Sequence, residues 1–198
     1  MIPLQFALRR RMMIKCESKI EFEYTGNYTD NRDENGIGTV RFTSSGTLTV
    51  LSGKNTVSAY ILGAGGGGVF QYSGYTSASG GGGGFQTVDV ELSSGIYEIV
   101  IGTGGAGKYS KNTISSNVGG TGGTTTAFGY TSTGGTGGGT NGKDDGTGTF
   151  AGSGGSPNGN SGKVGILSSG GSPNGGRSDG RNAATNSGGN GYVEITFS

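Results

Sequence analysis

The clearest pattern along the chain is a series of short stretches in which apolar and polar residues alternate with a period of two. Such stretches, rich in β-branched and aromatic residues, are typical of half-buried β-strands. They predict strands at 20–24, 39–42, 46–50, 57–62, 85–92, 97–101, 124–128 and 192–197. Ser44-Ser45-Gly46 and Ser93-Ser94-Gly95 are predicted to form hairpin turns between neighbouring strands. Apart from a weak helical pattern over 4–15, the chain is predicted to be all-β, a small β-sandwich-like framework.

Three glycine-rich excursions, 63–84, 102–123 and 129–191, interrupt the predicted strands. The third is longer than an ordinary loop in a compact domain, so it is either disordered or has a regular structure that glycine permits. Glycine recurs at every third position in many short runs, for example Gly159, Gly162 and Gly165. Three residues per turn is the period of a polyproline-II-type helix. This spacing favours packed polyglycine-II helices, although the entropy that glycine loses on ordering opposes them.

Composition explains why such packing is needed. The chain has 198 residues, of which 48 are Gly. Leu, Ile, Val and Phe make up about 18 per cent of the chain. A chain with less than roughly 20 per cent of these residues has too few large apolar side chains to build an ordinary core. The net charge of +1 is unlike that of ordinary disordered proteins. We therefore expect a charged amino-terminal attachment arm over 1–35 and one glycine-rich domain over 36–198, held together by more than an apolar core.

Several functional classes are disfavoured by the residues that are missing. The chain has no His and only Cys16, so an internal disulfide and a Cys/His zinc site are excluded, and the thiol is best interpreted as a small buried hydrophobe. The near-neutral charge argues against a nucleic-acid partner. Arg9, Arg10 and Arg11 follow a short apolar run, which is the wrong order for a signal peptide. No run approaches the length of a membrane span, so we expect no membrane insertion and release by cell lysis.

Two nucleotide-binding patterns and one acidic pair are the candidates for chemistry. Residues 102–107 match G-x-G-x-x-G and, with Lys108, nearly match a P-loop. No helical pattern follows them, and such matches arise by chance in a chain so rich in glycine. Asp144-Asp145 could belong to a calcium loop, but the spacing of ligands is wrong and a solvated polar loop is the favoured interpretation. We expect no enzyme activity, no cofactor and no bound metal.

Aromatic and charged residues lie within the glycine-rich excursions, where loops on a rigid scaffold concentrate recognition. Tyr with Ser, Gly and Asn is also the composition of adaptable binding loops. The predicted binding residues are Tyr72, Tyr75, Tyr109, Lys111, Lys143, Asp144, Asp145, Arg177 and Arg181. For the three tyrosines, packing on the framework and contact with a partner are equally consistent with the sequence. For Phe70 and Phe150, packing on the framework is favoured.

An internal repeat lies in the third excursion. The sequence SGGSPNG at 153–159 recurs at 169–175. Pro-Asn-Gly is a favourable turn sequence, because Pro fixes φ and Asn or Gly accepts a positive φ. The repeat therefore predicts two equivalent turns at one end of successive extended segments. Low-complexity sequence drift is the alternative interpretation.

Read in order, the segments resemble the glycine-rich domain of phage tail proteins. The resemblance begins with VRFTSSGTLTV at 40–50 and VSAYILGAGGGG at 57–68. It continues with SGIYEIVIG at 94–102 and GGTGGTTTAFG at 119–129, and ends with GGNGYVEI at 188–195. It implies a tail-fibre or tail-tip protein of the virion whose loops bind a host cell-surface glycan or protein. It also implies a polyglycine-II bundle, attachment to other tail proteins through the amino-terminal segment, and possible homo-oligomers.

The sequence leaves other functional classes open beside this receptor-binding hypothesis. A structural minor virion, assembly or decoration protein would have the same framework, with loops that only pack. An ice-binding bundle would need regularly spaced Thr residues on one face, and Thr121, Thr136 and Thr140 do not keep one spacing. The expected activity is therefore adhesion, and the competing expectation is assembly.

Overall fold

A computed structural model describes residues 19–71, 77–110, 117–140, 148–165, 168–178 and 186–198. The structure is all-β, as predicted. The strands of these residues are β1 (Glu21–Tyr24), β2 (Tyr28–Asp30), β3 (Gly38–Phe42), β4 (Gly46–Leu62), β5 (Val69–Gln71), β6 (Ser77–Ala78), β7 (Phe85–Val100), β8 (Lys108–Ser110), β9 (Asn117–Val118), β10 (Thr125–Ala127), β11 (Tyr130–Ser132), β12 (Gly139–Thr140) and β13 (Tyr192–Phe197).

One eight-stranded sheet forms the framework. Its order is β11-β10-β7-β4-β13-β3-β2, and β1 also pairs with β4. The long antiparallel pair β4–β7 runs from Gly46 opposite Ile99 to Leu62 opposite Phe85, with a register shift between Val50 and Lys54. Buried side chains on both sides of this irregularity belong to one core. The sheet therefore folds over itself as a small sandwich around that core.

The core uses the alternation that the sequence displays. In β4 the buried residues Leu48 and Val50 precede the irregularity, and Val57, Ala59 and Ile61 follow it. In β13, Val193, Ile195 and Phe197 point inward. Burial of these side chains removes apolar surface from water and stabilises the sandwich. The prediction of one apolar face per strand is confirmed.

Two predicted turns are wrong. Ser93-Ser94-Gly95 lies inside β7, because Ser93 pairs with Lys54 and Gly95 with Val50, so the extra residues lie in β4 instead. The predicted strands 85–92 and 97–101 are thus one strand. Ser44-Ser45 connect β3 to β4, but β13 lies between these two strands in the sheet. They join strands that do not pair, which period-two patterning cannot show.

The framework begins within the segment predicted as an arm, 1–35. There, β1 pairs with β4 and β2 pairs with β3. The Arg32 guanidinium donates to Asp30 at 2.7 Å and lies over the rings of Phe22 and Phe197, at 4.8 and 5.0 Å from their centroids. These contacts fix residues 20–32 against the carboxyl-terminal strand. Residues 1–18 lie outside the described residues.

The glycine-rich excursions form a bundle of extended segments beside the framework. Segment 63–68 donates its N–H groups in turn to segments 79–84, 119–124 and 186–191, and the sequence of partners then repeats. A period of three partners in three residues is the signature of polyglycine-II geometry. The described bundle has ten such segments: 63–68, 79–84, 102–107, 119–124, 133–138, 151–156, 159–163, 168–172, 174–178 and 186–191.

Two of these segments, 63–68 and 79–84, are central. The carbonyls of 63–68 accept hydrogen bonds from 102–108, 133–138 and 174–178, so this segment has six bonded neighbours. Segment 79–84 likewise donates to three neighbours and accepts from three. The partners arrange the ten segments in three layers. The layers are 119–124, 133–138 and 151–156; then 102–107, 63–68, 79–84 and 159–163; then 186–191, 174–178 and 168–172.

Glycine is required because backbones meet backbones in this bundle. A Cβ at Gly66 would clash with the carbonyl oxygen of Thr136, and a Cβ at Gly83 would clash with that of Gly63. The backbone groups are buried and paired, which avoids the cost of desolvating unpaired amides. The prediction of packed polyglycine-II segments is confirmed for the described residues.

The sequence repeat forms two turns at the framework end of the bundle, as predicted. Residues 156–158 and 172–174 both turn, and both prolines follow cis peptide bonds. The Asn174 side chain bonds to both central segments, because its Nδ2 donates to the Gly63 carbonyl at 3.1 Å and its Oδ1 accepts from the Gly83 amide at 2.8 Å. Asn158 donates only to the Phe85 carbonyl, at 3.0 Å. The two turns have the same shape, but their asparagine side chains bond to different parts of the structure.

We expect Gly66→Ala to lower the free energy of unfolding by about 3 kcal/mol or more, because the new methyl group forces neighbouring backbones apart. Gly95→Ala is the matched control: the nearest atoms to its Cβ lie at 3.7 Å, so its effect should stay within about 1 kcal/mol. Urea denaturation of both variants checks this. Equal effects would contradict backbone contact as the reason for glycine.

The two turn asparagines should also differ. Asn174→Ala leaves buried groups of both central segments unpaired and should cost about 3 kcal/mol or more, whereas Asn158→Ala should cost about 1 kcal/mol. Thermal unfolding of the two variants under one buffer condition measures the difference. A larger loss for Asn158→Ala would show that Asn174 does not complete the bundle.

Candidate functional site: the distal end of the bundle

The bundle ends, away from the framework, in a collar of short strands. We define the collar as β5, β6, β8, β9 and β12 together with Phe150 and Val164. β5 pairs with β6 and, in parallel, with β8, while β9 pairs with β12. Single bridges join Ala78 to Val164 and Gly139 to Phe150. These pairings gather the ends of most bundle segments at one level.

Five stretches of chain depart from this end. The described ranges end here and begin again at five places: from Gln71 to Ser77, from Ser110 to Asn117, from Thr140 to Gly148, from Gly165 to Ser168, and from Ser178 to Asn186. The ends are bonded to one another: Ser178 donates its amide to the Ser168 carbonyl at 3.1 Å, and Asn186 Nδ2 donates to the Lys108 carbonyl at 3.0 Å. All five stretches therefore start from the distal end of the bundle, at the collar or at the bundle segments beside it.

Most of the predicted binding residues belong to these stretches. Tyr72, Tyr75, Lys111, Lys143, Asp144, Asp145 and Arg181 lie outside the described residues. Tyr109, in β8, is half-buried and stacks on Phe70, with ring centroids 6.0 Å apart and an interplanar angle of 16°. Arg177 lies exposed near the distal end of segment 174–178. These two described residues are brought to the same end of the bundle.

The two phenylalanines that were expected to pack on the framework both lie in the collar. Phe70 is buried, with 7 per cent of its surface exposed, but it packs at the distal end. For Phe150 the expectation is wrong, because 48 per cent of its surface is exposed. Its ring covers Gly139, where a Cβ would collide with it. The nearby bridge to Gly139 holds Phe150 at the collar, so it cannot reach the sheet.

The interior of the distal end, where the collar meets the bundle segments, is polar. Gln71, Ser77, Thr140, Ser178 and Asn186 are all buried. Thr140 Oγ1 donates to Gln71 Oε1 at 3.2 Å, and Ser178 Oγ donates to the Gly165 carbonyl at 2.9 Å. Within the described part of the chain, Ser77 Oγ is the one buried side-chain polar atom without a hydrogen-bond partner. Hydrogen bonds, with the Phe70–Tyr109 stack, therefore hold the base of the five stretches.

Sequence reasoning missed several exposed residues here. Val118 is 46 per cent exposed and Val164 is 55 per cent exposed, and Lys108 and Lys163 are exposed as well. A simple signal was available: these residues, like Phe70 and Phe150, lie at or next to the ends of glycine-rich runs. The end of a run marks the point where the bundle stops excluding side chains.

The side chains of the described residues whose pKa values are shifted lie in the framework. Burial raises the pKa of Tyr24 to about 12, and its hydroxyl donates to the Ser44 carbonyl. The hydrogen bond from the Arg32 side chain, which is the largest cause, lowers the pKa of the Asp30 carboxyl. Among the residues with coordinates here, no three His, Cys, Asp or Glu side chains gather as a metal site. What the described distal end offers is exposed apolar, aromatic and cationic groups.

Comparison with known proteins identifies one relationship. The model of a family described as a glycine-rich domain matches residues 42–198. The match covers the strands from β4 onward and all ten bundle segments. No curated protein matches the chain. None of the helices in the described residues has the length and apolar character needed to cross a membrane.

We expect Phe70 to contribute more to the stability of the collar than Tyr109, which stacks on it. Phe70→Ala removes a buried ring and should lower the free energy of unfolding by about 3 kcal/mol. Tyr109→Ala removes a half-buried ring from the same stack and should cost about 1 kcal/mol. Chemical denaturation followed by circular dichroism gives both values. A greater loss for Tyr109→Ala would mean that Tyr109, rather than Phe70, anchors the collar.

Proposed function

We propose that this chain, which belongs to the glycine-rich domain family, is a receptor-binding module of a phage or prophage tail. It would act without catalysis, by holding the host cell surface through the stretches that start at the collar. The observation that carries this proposal is that five stretches of chain start from one end of a bundle that is held together by backbone hydrogen bonds. Loops that a rigid scaffold presents are where recognition residues concentrate in proteins.

The composition of the excursions supports recognition. Tyr72 and Tyr75 lie in the first, and Lys143, Asp144 and Asp145 in the third. Tyrosine among Ser, Gly and Asn provides large contact area at a low cost in side-chain entropy. A bundle fixed by hydrogen bonds in three directions provides a rigid base for these contacts, which lowers the ordering cost of binding.

The opposite end of the molecule suits attachment to the particle. The bend of β4 and β7 lies there, and the described chain begins and ends near it, at Lys19 and Ser198. Three large apolar side chains around this end are exposed: Ile37 by 53 per cent, Leu51 by 51 per cent and Ile96 by 76 per cent. In this proposal, contact with another tail protein through the amino-terminal part of the chain would cover these side chains.

A structural role is the second candidate. Val118, Phe150 and Val164 are exposed at the collar, where a decoration or assembly protein would bury them against a neighbour. In that case the collar would bind a virion protein and host cells would not be bound.

The test is binding of the purified, fluorescently labelled full chain to whole cells of candidate hosts. We expect saturable binding to a subset of strains. Replacing Tyr72 and Tyr75 together by Ala should weaken this binding about tenfold or more, as expected for central aromatic contacts. Tyr130→Ala is the matched control, because Tyr130 is 40 per cent exposed but lies on the framework.

Each outcome has a definite meaning. Loss of cell binding in the double variant, with binding kept in the control, supports the receptor-binding module. Cell binding that survives the double variant removes the tyrosines from the site. A folded protein that binds no strain but binds purified tail particles through its collar would contradict adhesion and favour the structural role.

A further inference from the structure

One side of strand β7 has no neighbouring strand along much of its length. From Phe85 to Ser93, β7 pairs with β4 on one side. On its other side β10 pairs with it only at Ile99 and Val100. Among the described residues, no strand therefore pairs with the outer side of β7 over 85–93.

The hydrogen-bond pattern shows which backbone groups face this outer side. Gly63 donates its amide to the Gly84 carbonyl at 2.8 Å, and in an antiparallel ladder hydrogen-bonded and non-hydrogen-bonded residue pairs alternate. Leu62 and Phe85 are thus a non-hydrogen-bonded pair, and so is every second pair along this register. Alternate residues of β7 therefore point their amides and carbonyls away from β4: Phe85, Thr87, Asp89, Glu91 and Ser93.

Both ends of this row already have partners. The Phe85 amide donates to the Pro157 carbonyl at 2.6 Å, and the Phe85 carbonyl accepts from Asn158 Nδ2 at 3.0 Å. At the other end, the Tyr97 hydroxyl donates to the Ser93 carbonyl at 3.0 Å and accepts from the Ser93 amide at 3.2 Å. These four bonds agree with the alternation, because each of them lies on the side of β7 away from β4.

Three residues between these ends have outward backbone groups without a partner. The amides and carbonyls of Thr87, Asp89 and Glu91 form no hydrogen bond with any described residue, and all three residues are exposed. We call these groups the open edge. An exposed row of unpaired amides and carbonyls is a template on which another strand can pair.

A groove of about 420 Å³ lies beside the open edge. It is lined by Val90, Glu91, Tyr97, Glu98, Phe128 and Gly129. The Phe128 ring packs edge-on against the Tyr97 ring, with centroids 5.8 Å apart. Because Val90 faces the core and Glu91 the outer surface, a strand added here would have side chains on both faces, with space beside Val90 for apolar ones.

The charge at this place is negative. Asp89 and Glu91 belong to the open edge and Glu98 lines the groove. Lys54 pairs with Glu91 at 3.0 Å, but both side chains are more than half exposed, and such pairs are weak. In the part of the chain that the structure describes, Asp89 and Glu98 have no ion pair. Opposite charges on adjacent strands stabilise their pairing, so this edge favours a basic strand.

Self-pairing is disfavoured by the same residues. If two copies of this chain met at their open edges, Asp89 and Glu91 of each copy would lie close to those of the other. Like charges on adjacent strands are destabilising. The charge therefore selects a different protein, with basic residues on the face that lies beside these carboxylates.

We propose that the open edge of β7 accepts an extended segment of another protein as an additional strand. The segment carries Lys or Arg at alternate positions, beside Asp89 and Glu91, and apolar residues between them, beside Val90. Backbone hydrogen bonds supply the affinity, and the alternating side chains supply the specificity. This inference concerns the framework and holds whether or not the distal end binds host cells.

The probe is the peptide acetyl-Thr-Lys-Val-Lys-Val-Lys-Thr-amide, titrated into the full chain by isothermal titration calorimetry. One comparison peptide has Glu in place of each Lys, and another has the basic sequence with its backbone amides N-methylated. We expect the basic peptide to bind about tenfold or more tightly than either, because several backbone bonds depend on its free amides. Equal binding of the N-methylated peptide would overturn strand addition.

Hydrogen exchange followed by nuclear magnetic resonance locates the binding. In the free protein the amides of Thr87, Asp89 and Glu91 should exchange fast, whereas those of Val88 and Val90, which point toward β4, should exchange slowly. The basic peptide should slow the first three and leave the other two unchanged. Slow exchange of the first three amides in the free protein would overturn the proposal, because the edge would then already be covered.

Two substitutions at one position separate the backbone from the charge. Asp89→Asn and Asp89→Pro both remove the carboxylate, but only proline also removes the outward amide. Proline is tolerated in an edge strand where the amide faces solvent. Asp89→Pro should bind the peptide about fivefold more weakly than Asp89→Asn. Equal affinities of the two folded variants would contradict pairing at this amide, and the exchange measurement on the unsubstituted protein needs neither variant.

A pair of double variants tests the charge. Asp89→Asn with Glu91→Gln should weaken binding of the basic peptide about fivefold. Glu21→Gln with Glu23→Gln is the matched control, since it removes two carboxylates from β1, and it should bind as the parent does. Circular dichroism verifies the fold of all variants. Equal weakening in both would mean attraction by overall charge, and a dimer of the free protein that the peptide dissociates would mean self-pairing; either result overturns the proposal.

Discussion

The hydrogen bonds of segments 63–68 and 79–84 are the constraint on which the rest of the structure depends. Each of these segments is surrounded by six others, and its amides and carbonyls alternate among them with a period of three. At the glycine positions of these segments the arrangement leaves no room for a Cβ, since a methyl group would occupy the place of a neighbouring carbonyl oxygen. The abundance of glycine is thus a packing requirement, in addition to a source of flexibility.

The molecule therefore has two parts that are stabilised by different interactions. The framework is stabilised by apolar burial around residues such as Phe42, Leu48 and Ile195. The bundle is stabilised by backbone pairing and needs few side chains, which explains how a chain poor in large apolar residues can fold. At the collar the polyglycine-II segments end, and buried side chains such as Phe70 and Gln71 contribute to the packing.

Much of the framework was predictable from the sequence, because period-two alternation reports directly on burial. The positions of β3, β10 and β13 follow from it. The pattern cannot show that β4 and β7 continue through their bend, since Ser93-Ser94-Gly95 has turn composition but is paired with β4. Pairing partners distant in the sequence decide that question. The position of Phe150 is likewise a tertiary effect, set by its bridge to Gly139.

The bundle was predictable in kind but not in arrangement. The spacing of glycine indicates three residues per turn, but the partner of each segment depends on which segments become neighbours in space. The unequal roles of Asn158 and Asn174 show this, because identical heptapeptides place one asparagine at the sheet and the other between two central segments. The excursions that mark the candidate site could be seen in the sequence. The exposure of Lys108 and Lys163 at one end of the molecule could not, because it depends on where the bundle segments end.

Hydrogen exchange of individual backbone amides, followed by nuclear magnetic resonance, tests the central claim most directly. If the bundle is held by its backbone, the amides of 63–68 and 79–84 should exchange as slowly as those of the sandwich core, despite being almost entirely glycine. Exchange of these amides at the rate of unstructured glycine, with the β4–β7 pair still protected, would contradict the account and leave the framework as the only folded part.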